Sequence, residues 1–168
     1  SKVSSHYFIK KNGEILRLVP DLYQAWHAGK SLWKNFKNLN KNSIGIELQN
    51  PGHENKYENF SLSQIIALKR LLKKLVFTYS IKKENILGHS DIAPDRKKDP
   101  GEKFPWKRLS KIKLAKWHNL NEKKINKFRL IKLRVSDEKK FLKNLRSIGY
   151  RKSTISNSGS NKNIIMAF

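Results

Sequence analysis

The chain has 168 residues, enough for one ordinary domain and part of a second. It carries 37 Lys and Arg against 13 Asp and Glu, a net charge of +24, and no Cys; disulfides and thiolate metal sites are excluded, and any metal must be held by His, Asp or Glu. No apolar stretch reaches the ~20 residues that a membrane-spanning helix needs.

The stretch from His6 to Val19 reads as a β-hairpin, because apolar runs flank "KKNGE" and Asn12-Gly13 is a strong turn signal. "AWHAGKSLW" (Ala25–Trp33) has no clean period and reads as a loop. "NSIGIELQN" (Asn42–Asn50) alternates β-branched residues around a glycine and stops at Pro51-Gly52, the pattern of a short buried strand. "SLSQIIALKRLLKKLVFTYSI" is the clearest helix. Ser61 and Gln64 have capping-box spacing. Ile65, Leu68, Leu72, Leu75, Val76 and Tyr79 recur on one face, with lysines on the other. "ENILGHSD" (Glu84–Asp91) then reads as a further strand. The order predicts an α/β fold with a mixed central β-sheet flanked by helices, followed by the start of a small helical domain.

After Ser110 the chain is basic and has no strong period, so it reads as a linker or extension. "SDEKKFLKNLRSIGY" reads as a second helix, with Ser136 or Asp137 as its cap and Gly149 as its stop. Phe141, Leu142, Leu145 and Ile148 form its apolar face. "KSTISNSGSN" is a polar loop, and "KNIIMAF" opens another apolar helix. The expected organisation is a first domain over 1–117, a basic linker over 118–136 and a partial helical domain over 137–168. The chain starts at Ser1 without Met and ends at Phe168 inside an apolar run, so it reads as an internal fragment.

Chemistry concentrates in "GHSDIAPDRKKDPG" (Gly88–Gly101). Pro94 and the charged residues force an extended path between His89 and Asp99. Two readings fit: a loop that brings a His and a carboxylate to one metal ion, or a surface loop laced with salt bridges. Lys97 can project a cation at the same place. Glu47 lies in an apolar strand, where a carboxylate is costly unless it is paired or functional; it is either a general base or a strand-end residue facing water. His27, beside Trp26, belongs to a substrate-facing loop or is simply packed. His6 reads as structural, His53 and His118 as solvated, and Trp106 as a core or lid anchor. The charge attracts polyanions, or reflects a Lys-rich solvated surface. With 29 Lys against 8 Arg, it speaks against the Arg-based contacts of nucleic-acid recognition.

Taken together, "VSSHYFI", "AWHAGKSLW", "SIGIELQN", "GHSDIAPDRKKDPG" and "FPW" resemble, in this order, the zinc-dependent N-acetylmuramoyl-L-alanine amidases of the type 2 class. This is the superfamily of bacteriophage lysozyme-type amidases and peptidoglycan recognition proteins. The resemblance covers residues 1–117 and is greatest to Gram-negative periplasmic lipoprotein amidases. "FLKNLRSIGY" and "NIIMAF" resemble the start of the helical peptidoglycan-binding domain of those enzymes. The resemblance implies an N-terminally truncated catalytic domain that uses Zn²⁺. It makes His89 and Asp99 metal ligands, with a third ligand, a His, expected upstream of Ser1. It makes Glu47 the general acid/base and Lys97 the oxyanion stabiliser, and it puts His27 and Trp26 at the substrate. The implied partner is peptidoglycan or a muropeptide, with no nucleic acid, and with membrane contact only through a lipid anchor on the missing N-terminus. The implied location is periplasmic or outer-membrane-associated, with a cytoplasmic recycling enzyme as the alternative. The implied reaction is hydrolysis of the amide between the lactyl group of N-acetylmuramic acid and L-alanine. The rival reading is a peptidoglycan-binding module without catalysis.

Overall fold

The computed structural model describes residues 4–131 and 134–151. β1 (Tyr7–Ile9) and β2 (Ile15–Arg17) form the expected antiparallel hairpin, with Ile9 opposite Ile15. Its turn is closed by the Lys10 N–H donating to the Glu14 carbonyl at 2.9 Å and by the Glu14 N–H donating to Asn12 Oδ1 at 3.0 Å. The segment expected as a loop ends instead in a small strand, β3 (Leu32–Trp33), which pairs with β4 (Phe36–Lys37). Two residues per strand are too few to leave a period in the sequence. β5 (Ile46–Leu48) joins the other edge of β1 in parallel, giving a mixed sheet of order β2-β1-β5.

Helix α1 (Leu62–Tyr79) starts where the capping box predicts. Ser61 Oγ accepts the Gln64 N–H, and Gln64 Oε1 accepts the Ser61 N–H, each at 3.1 Å. The Gln64 amide is fully buried and donates to the carbonyls of Gln49 (2.9 Å) and Ile9 (3.3 Å), pinning the helix start to the ends of β5 and β1. Ile65, Ala67, Leu68, Leu71, Leu72 and Leu75 are buried. All but Ile65 join Tyr7, Ile9, Leu109, Leu114 and Phe104 in the first hydrophobic cluster. Burying each such Leu or Ile contributes roughly 1.5–3 kcal/mol. Tyr79, expected on the apolar face, is exposed instead; its hydroxyl donates to Asp21 Oδ2 at 3.0 Å. Trp106 is half-buried in this cluster, 4.5 Å from Phe104 between ring centroids.

The strand expected at 84–91 is not formed. Lys83–Asn85 is a 3-10 turn, and the short helix α2 (His89–Ile92) follows. The backbone donors there go elsewhere: the Ile86 N–H to Lys83 O and the Gly88 N–H to the Asp91 side chain. Helix α3 (Trp106–Ser110) comes next. The expected basic linker contains helix α4 (Glu122–Arg129). Helix α5 (Val135–Ile148) begins before Ser136, so neither Ser136 nor Asp137 is its N-cap. Asp137 closes the first turn from within, accepting the Arg134 N–H at 3.0 Å. "KSTISNSGSN" and "KNIIMAF" lie outside the described residues.

Helix α5 packs on the first region. Leu145 and Tyr150 are buried with Ala28, Trp33 and Leu39 in a second cluster, and Leu87, Ile92, Phe141, Leu142 and Ile148 line it. Among the described residues, no helix is long and apolar enough to cross a membrane.

Candidate metal and amide-hydrolysis site

The loop from Gly88 to Gly101 folds back so that its two ends meet. The Ser90 N–H donates to the Asp99 carbonyl at 2.9 Å. His89 Nδ1 then lies 3.1 Å from Asp99 Oδ2, so the pair singled out ten residues apart is brought together. His89 is half-buried, while the Asp99 side chain keeps 58 % exposure. Burial pushes the Asp99 carboxyl up. The hydrogen bond and charge of His89, a backbone N–H and the Lys97 ammonium more than offset this and hold it below the usual carboxylate range. Lys97 is half-buried. Arg96, which the sequence reading passed over, clamps a second loop onto the first. Its guanidinium donates to the carbonyls of Ala28 and Lys30.

The donor set suits a metal at two positions. His89 Nε2 faces the Ala28 carbonyl at 3.3 Å while Nδ1 faces the Asp99 carboxylate. A neutral imidazole donates from only one nitrogen, so a cation between Nδ1 and the carboxylate would take the place of a proton. Imidazole nitrogen and carboxylate oxygen are both good Zn²⁺ donors, and a catalytic zinc typically has three protein ligands. Among the described residues, no third His, Asp or Glu completes such a group.

Glu47 is exposed, which corrects the expectation of a buried strand. β5 is covered on one side only: Ile46 and Leu48, level with Tyr7 and Ile9, pack on the α1 cluster. Glu47, level with Phe8, takes the opposite face by strand alternation. Gly45, two residues earlier, shares that face. A Cβ at Gly45 would stand 2.3 Å from His27 Cγ, so only glycine lets the His27 ring lie on β5. His27 is half-buried. Its Nδ1 lies 3.1 Å from the Ala25 carbonyl and its Nε2 3.0 Å from Ser43 Oγ, whose hydroxyl donates to the Leu39 carbonyl at 2.7 Å. Burial, then the charges of His6 and His89, push its pKa down to about 4 despite the Ala25 hydrogen bond; it is neutral at physiological pH. His27 thus lies against the Gly45 end of β5, and the carbonyl of the next residue, Ala28, faces His89. Trp26 is exposed, and its backbone is tied to Ser4.

His6 is structural, as its position suggested. It is 1 % exposed, its Nδ1 accepts the Gly45 N–H, and its Nε2–H donates to the Tyr23 carbonyl. His53 and His118 are exposed, His53 paired with Glu102. A cleft of about 470 Å³ lies beside Ser43, lined by Asp21, Tyr23, Asn40 and Tyr79, and holds none of Glu47, His89, Lys97 or Asp99.

Two tyrosines brace the loop, and neither was singled out from the sequence. Tyr57 donates to the Pro100 carbonyl (2.7 Å) and accepts the Lys103 N–H (3.1 Å). Tyr150 donates to Asp91 (2.6 Å). Burial pushes the Asp91 carboxyl up, opposed by its bonds from Tyr150 and Gly88. Burial, then Asp91, push the Tyr150 phenol far above its usual value. A lone tyrosine far along the chain carries no local signal of such a role.

This arrangement, a small mixed sheet flanked by helices, is that of an α/β amidase. It superimposes on Escherichia coli AmiD in complex with anhydro-N-acetylmuramic acid-L-Ala-D-gamma-Glu-L-Lys, with a TM-score of 0.85 and 35 % identity, over 100 % of this chain and 70 % of that one. In sequence, the chain is 43 % identical to the E. coli N-acetylmuramoyl-L-alanine amidase AmiD over 128 residues, 69 % of this chain and 46 % of that protein. It is 41 % identical to the E. coli 1,6-anhydro-N-acetylmuramyl-L-alanine amidase AmpD over 108 residues, 64 % of this chain and 57 % of that one. Residues 1–102 match the Amidase_2 family, N-acetylmuramoyl-L-alanine amidase, and the chain belongs to this family. The chain spans about half the length of the curated relatives it matches.

Proposed function

We infer that the protein hydrolyses the amide between the lactyl group of N-acetylmuramic acid and L-alanine in peptidoglycan or its fragments. The observation that carries this reading is the meeting of His89 and Asp99 at 3.1 Å under the charge of Lys97, in a member of this family. His89 and Asp99 would hold Zn²⁺ together with a ligand that the described residues do not supply. Bound there, zinc would supply Lewis acidity for the amide carbonyl and would lower the pKa of a water from ~15.7 towards ~7.

The chain's own residues do the rest. Glu47, unpaired among the described residues and facing the His27 side of β5, takes a proton from water and delivers it to the departing L-alanine amine. The Lys97 ammonium faces the negative charge that develops on the carbonyl oxygen. The exposed Trp26 ring and the neutral His27 flank the substrate. The net charge of +24 holds the enzyme near a polymer rich in stem-peptide carboxylates.

The incomplete ligand set among the described residues favours one second reading, a module that binds muropeptides without cutting them. Zinc content and muramoyl-L-alanine cleavage, measured on the full-length protein, separate the two. The amidase reading expects about one zinc per chain and release of the stem peptide. It also expects Glu47→Gln to keep the zinc and lose turnover. A protein that binds muropeptide but neither takes up zinc nor cleaves is the binding module.

A further inference from the structure

Tyr150 lies outside the stretch 1–102 that matches the family, and the amidase reading assigns it nothing. Its phenol nevertheless reaches the ligand loop. The residue is 4 % exposed, and its ring stands edge-on to Trp33 with centroids 5.3 Å apart. Gly149 permits this approach. It sits at φ +148°, and a Cβ there would stand 2.8 Å from the Trp33 ring. The Gly149 carbonyl accepts the Lys34 N–H at 2.8 Å. The N–H groups of Gly149 and Tyr150 both donate to the Leu145 carbonyl, each at 3.1 Å. The end of α5 is thus wound directly onto the β3–β4 hairpin that carries Trp33.

From this anchor the Tyr150 hydroxyl donates to Asp91 Oδ1 at 2.6 Å, and Asp91 Oδ2 accepts the Gly88 N–H at 2.7 Å. Gly88 and Asp91 bracket His89. Helix α2 has only four residues, and so short a helix does not hold itself, because nucleation costs more than one turn of hydrogen bonds returns. The same turn is tied to the second ligand through the Ser90 N–H and the Asp99 carbonyl. Whatever sets the turn therefore sets both ligands.

We propose that Tyr150 is a positioning residue for the metal ligands: its hydroxyl, acting through the Asp91 carboxylate, holds the Gly88–Ile92 turn in the geometry that presents His89 to Asp99. The inference rests on the reading of His89 and Asp99 as metal ligands. It makes α5 part of the catalytic unit rather than an appendage, because Tyr150, just past the end of this helix, supplies a hydrogen bond two residues from a ligand.

The test is Tyr150→Phe in the full-length protein, which keeps the ring against Trp33 and removes only the hydroxyl. Zinc affinity, read by competition with a chelator, is expected to fall about tenfold or more, the size usual for lost hydrogen bonds behind metal ligands. Turnover falls with KM unchanged. In the metal-free protein the amides of Gly88 and Ser90 exchange faster with solvent. Leu145→Val trims the same cluster without touching this link; it lowers Tm but leaves zinc affinity and those two amides as they were. If Tyr150→Phe folds poorly, the double variant Asp91→Leu/Tyr150→Phe answers the question, since it replaces both polar partners by apolar ones; it too is expected to lose zinc affinity.

Wild-type zinc affinity and exchange in Tyr150→Phe, or in a stably folded double variant, overturn the proposal. So do losses of zinc affinity in Leu145→Val as large as those in Tyr150→Phe, which would make Tyr150 packing alone. A wild-type protein that takes up no zinc overturns the amidase reading instead. In that event the exchange of Gly88 and Ser90 decides by itself: faster in Tyr150→Phe alone supports the brace, and unchanged exchange ends it.

Discussion

The two hydrophobic clusters are built differently. The first draws Ala67, Leu68, Leu71, Leu72 and Leu75 from α1 alone and closes them on Tyr7 and Ile9 of the sheet. The second takes one or two anchors from each of several segments: Ala28, Trp33, Leu39, then Leu145 and Tyr150 from α5 and the residue after its stop. One helix face gives many contacts to one partner, so the first cluster carries the stability of the fold. Single anchors from separate loops give few contacts each, but they fix how the loops lie. The ligand loop borders the second cluster through Leu87 and Ile92, and its polar ties to Tyr150 run there. Truncation in the first cluster should therefore cost stability, and loss of the polar ties that run from the second cluster to the ligand loop should cost activity.

The largest effect expected is in the first cluster. Leu68→Ala, which deletes a side chain 3 % exposed, should lower the unfolding free energy by about 2–5 kcal/mol. The protein that remains folded should hold its metal as before; denaturant melts with metal analysis on the folded fraction check this. A folded Leu68→Ala protein without metal would erase the division between the clusters. Next is Lys97→Ala in the full-length enzyme. In the role proposed for Lys97, losing one oxyanion donor typically costs ~10²–10³ in turnover, and because the side chain is only half-buried, Tm should hardly move. Equal losses in turnover and Tm would put Lys97 among the structural residues.

Tyr57→Phe tests the other end of the loop. It removes a donor to Pro100 and an acceptor for Lys103, neutral hydrogen bonds worth about 0.5–1.5 kcal/mol each. A drop in stability with little change in zinc affinity would show that the outer brace is weaker than the one at Tyr150. The last test, of His27, is read through pH. Its pKa is about 4 in the fold against an ordinary 6.5, so the unfolded chain binds the proton first as pH falls. The stabilisation is complete above pH ~6.5 and is lost as pH drops towards ~4. His27→Gln should flatten the stability of the metal-free protein across this window. An unchanged slope would mean that the ring is not packed on Gly45 in solution.

The sequence by itself determined the hairpin, α1 with its capping box, the apolar face of α5 and the mixed α/β class. It did so because turn chemistry, capping and a 3.6-residue period are relations between near neighbours. It also named His89, Lys97 and Asp99, which lie within eleven residues of one another. Its failures were also local. "ENILGHSD" has the composition of a strand, but its donors were taken by its own turn and by Asp91. The short α4 has no broad apolar stripe to betray it. Only the tertiary structure decided the supports of the site: Arg96 on Ala28, 68 residues away; Tyr150 on Asp91, 59 away; His6 on Gly45, 39 away. Each is a single side chain meeting a distant backbone or carboxylate. Such a pair leaves no period and no motif, because what selects it is the packing of whole elements and not the chemistry of the residues beside it.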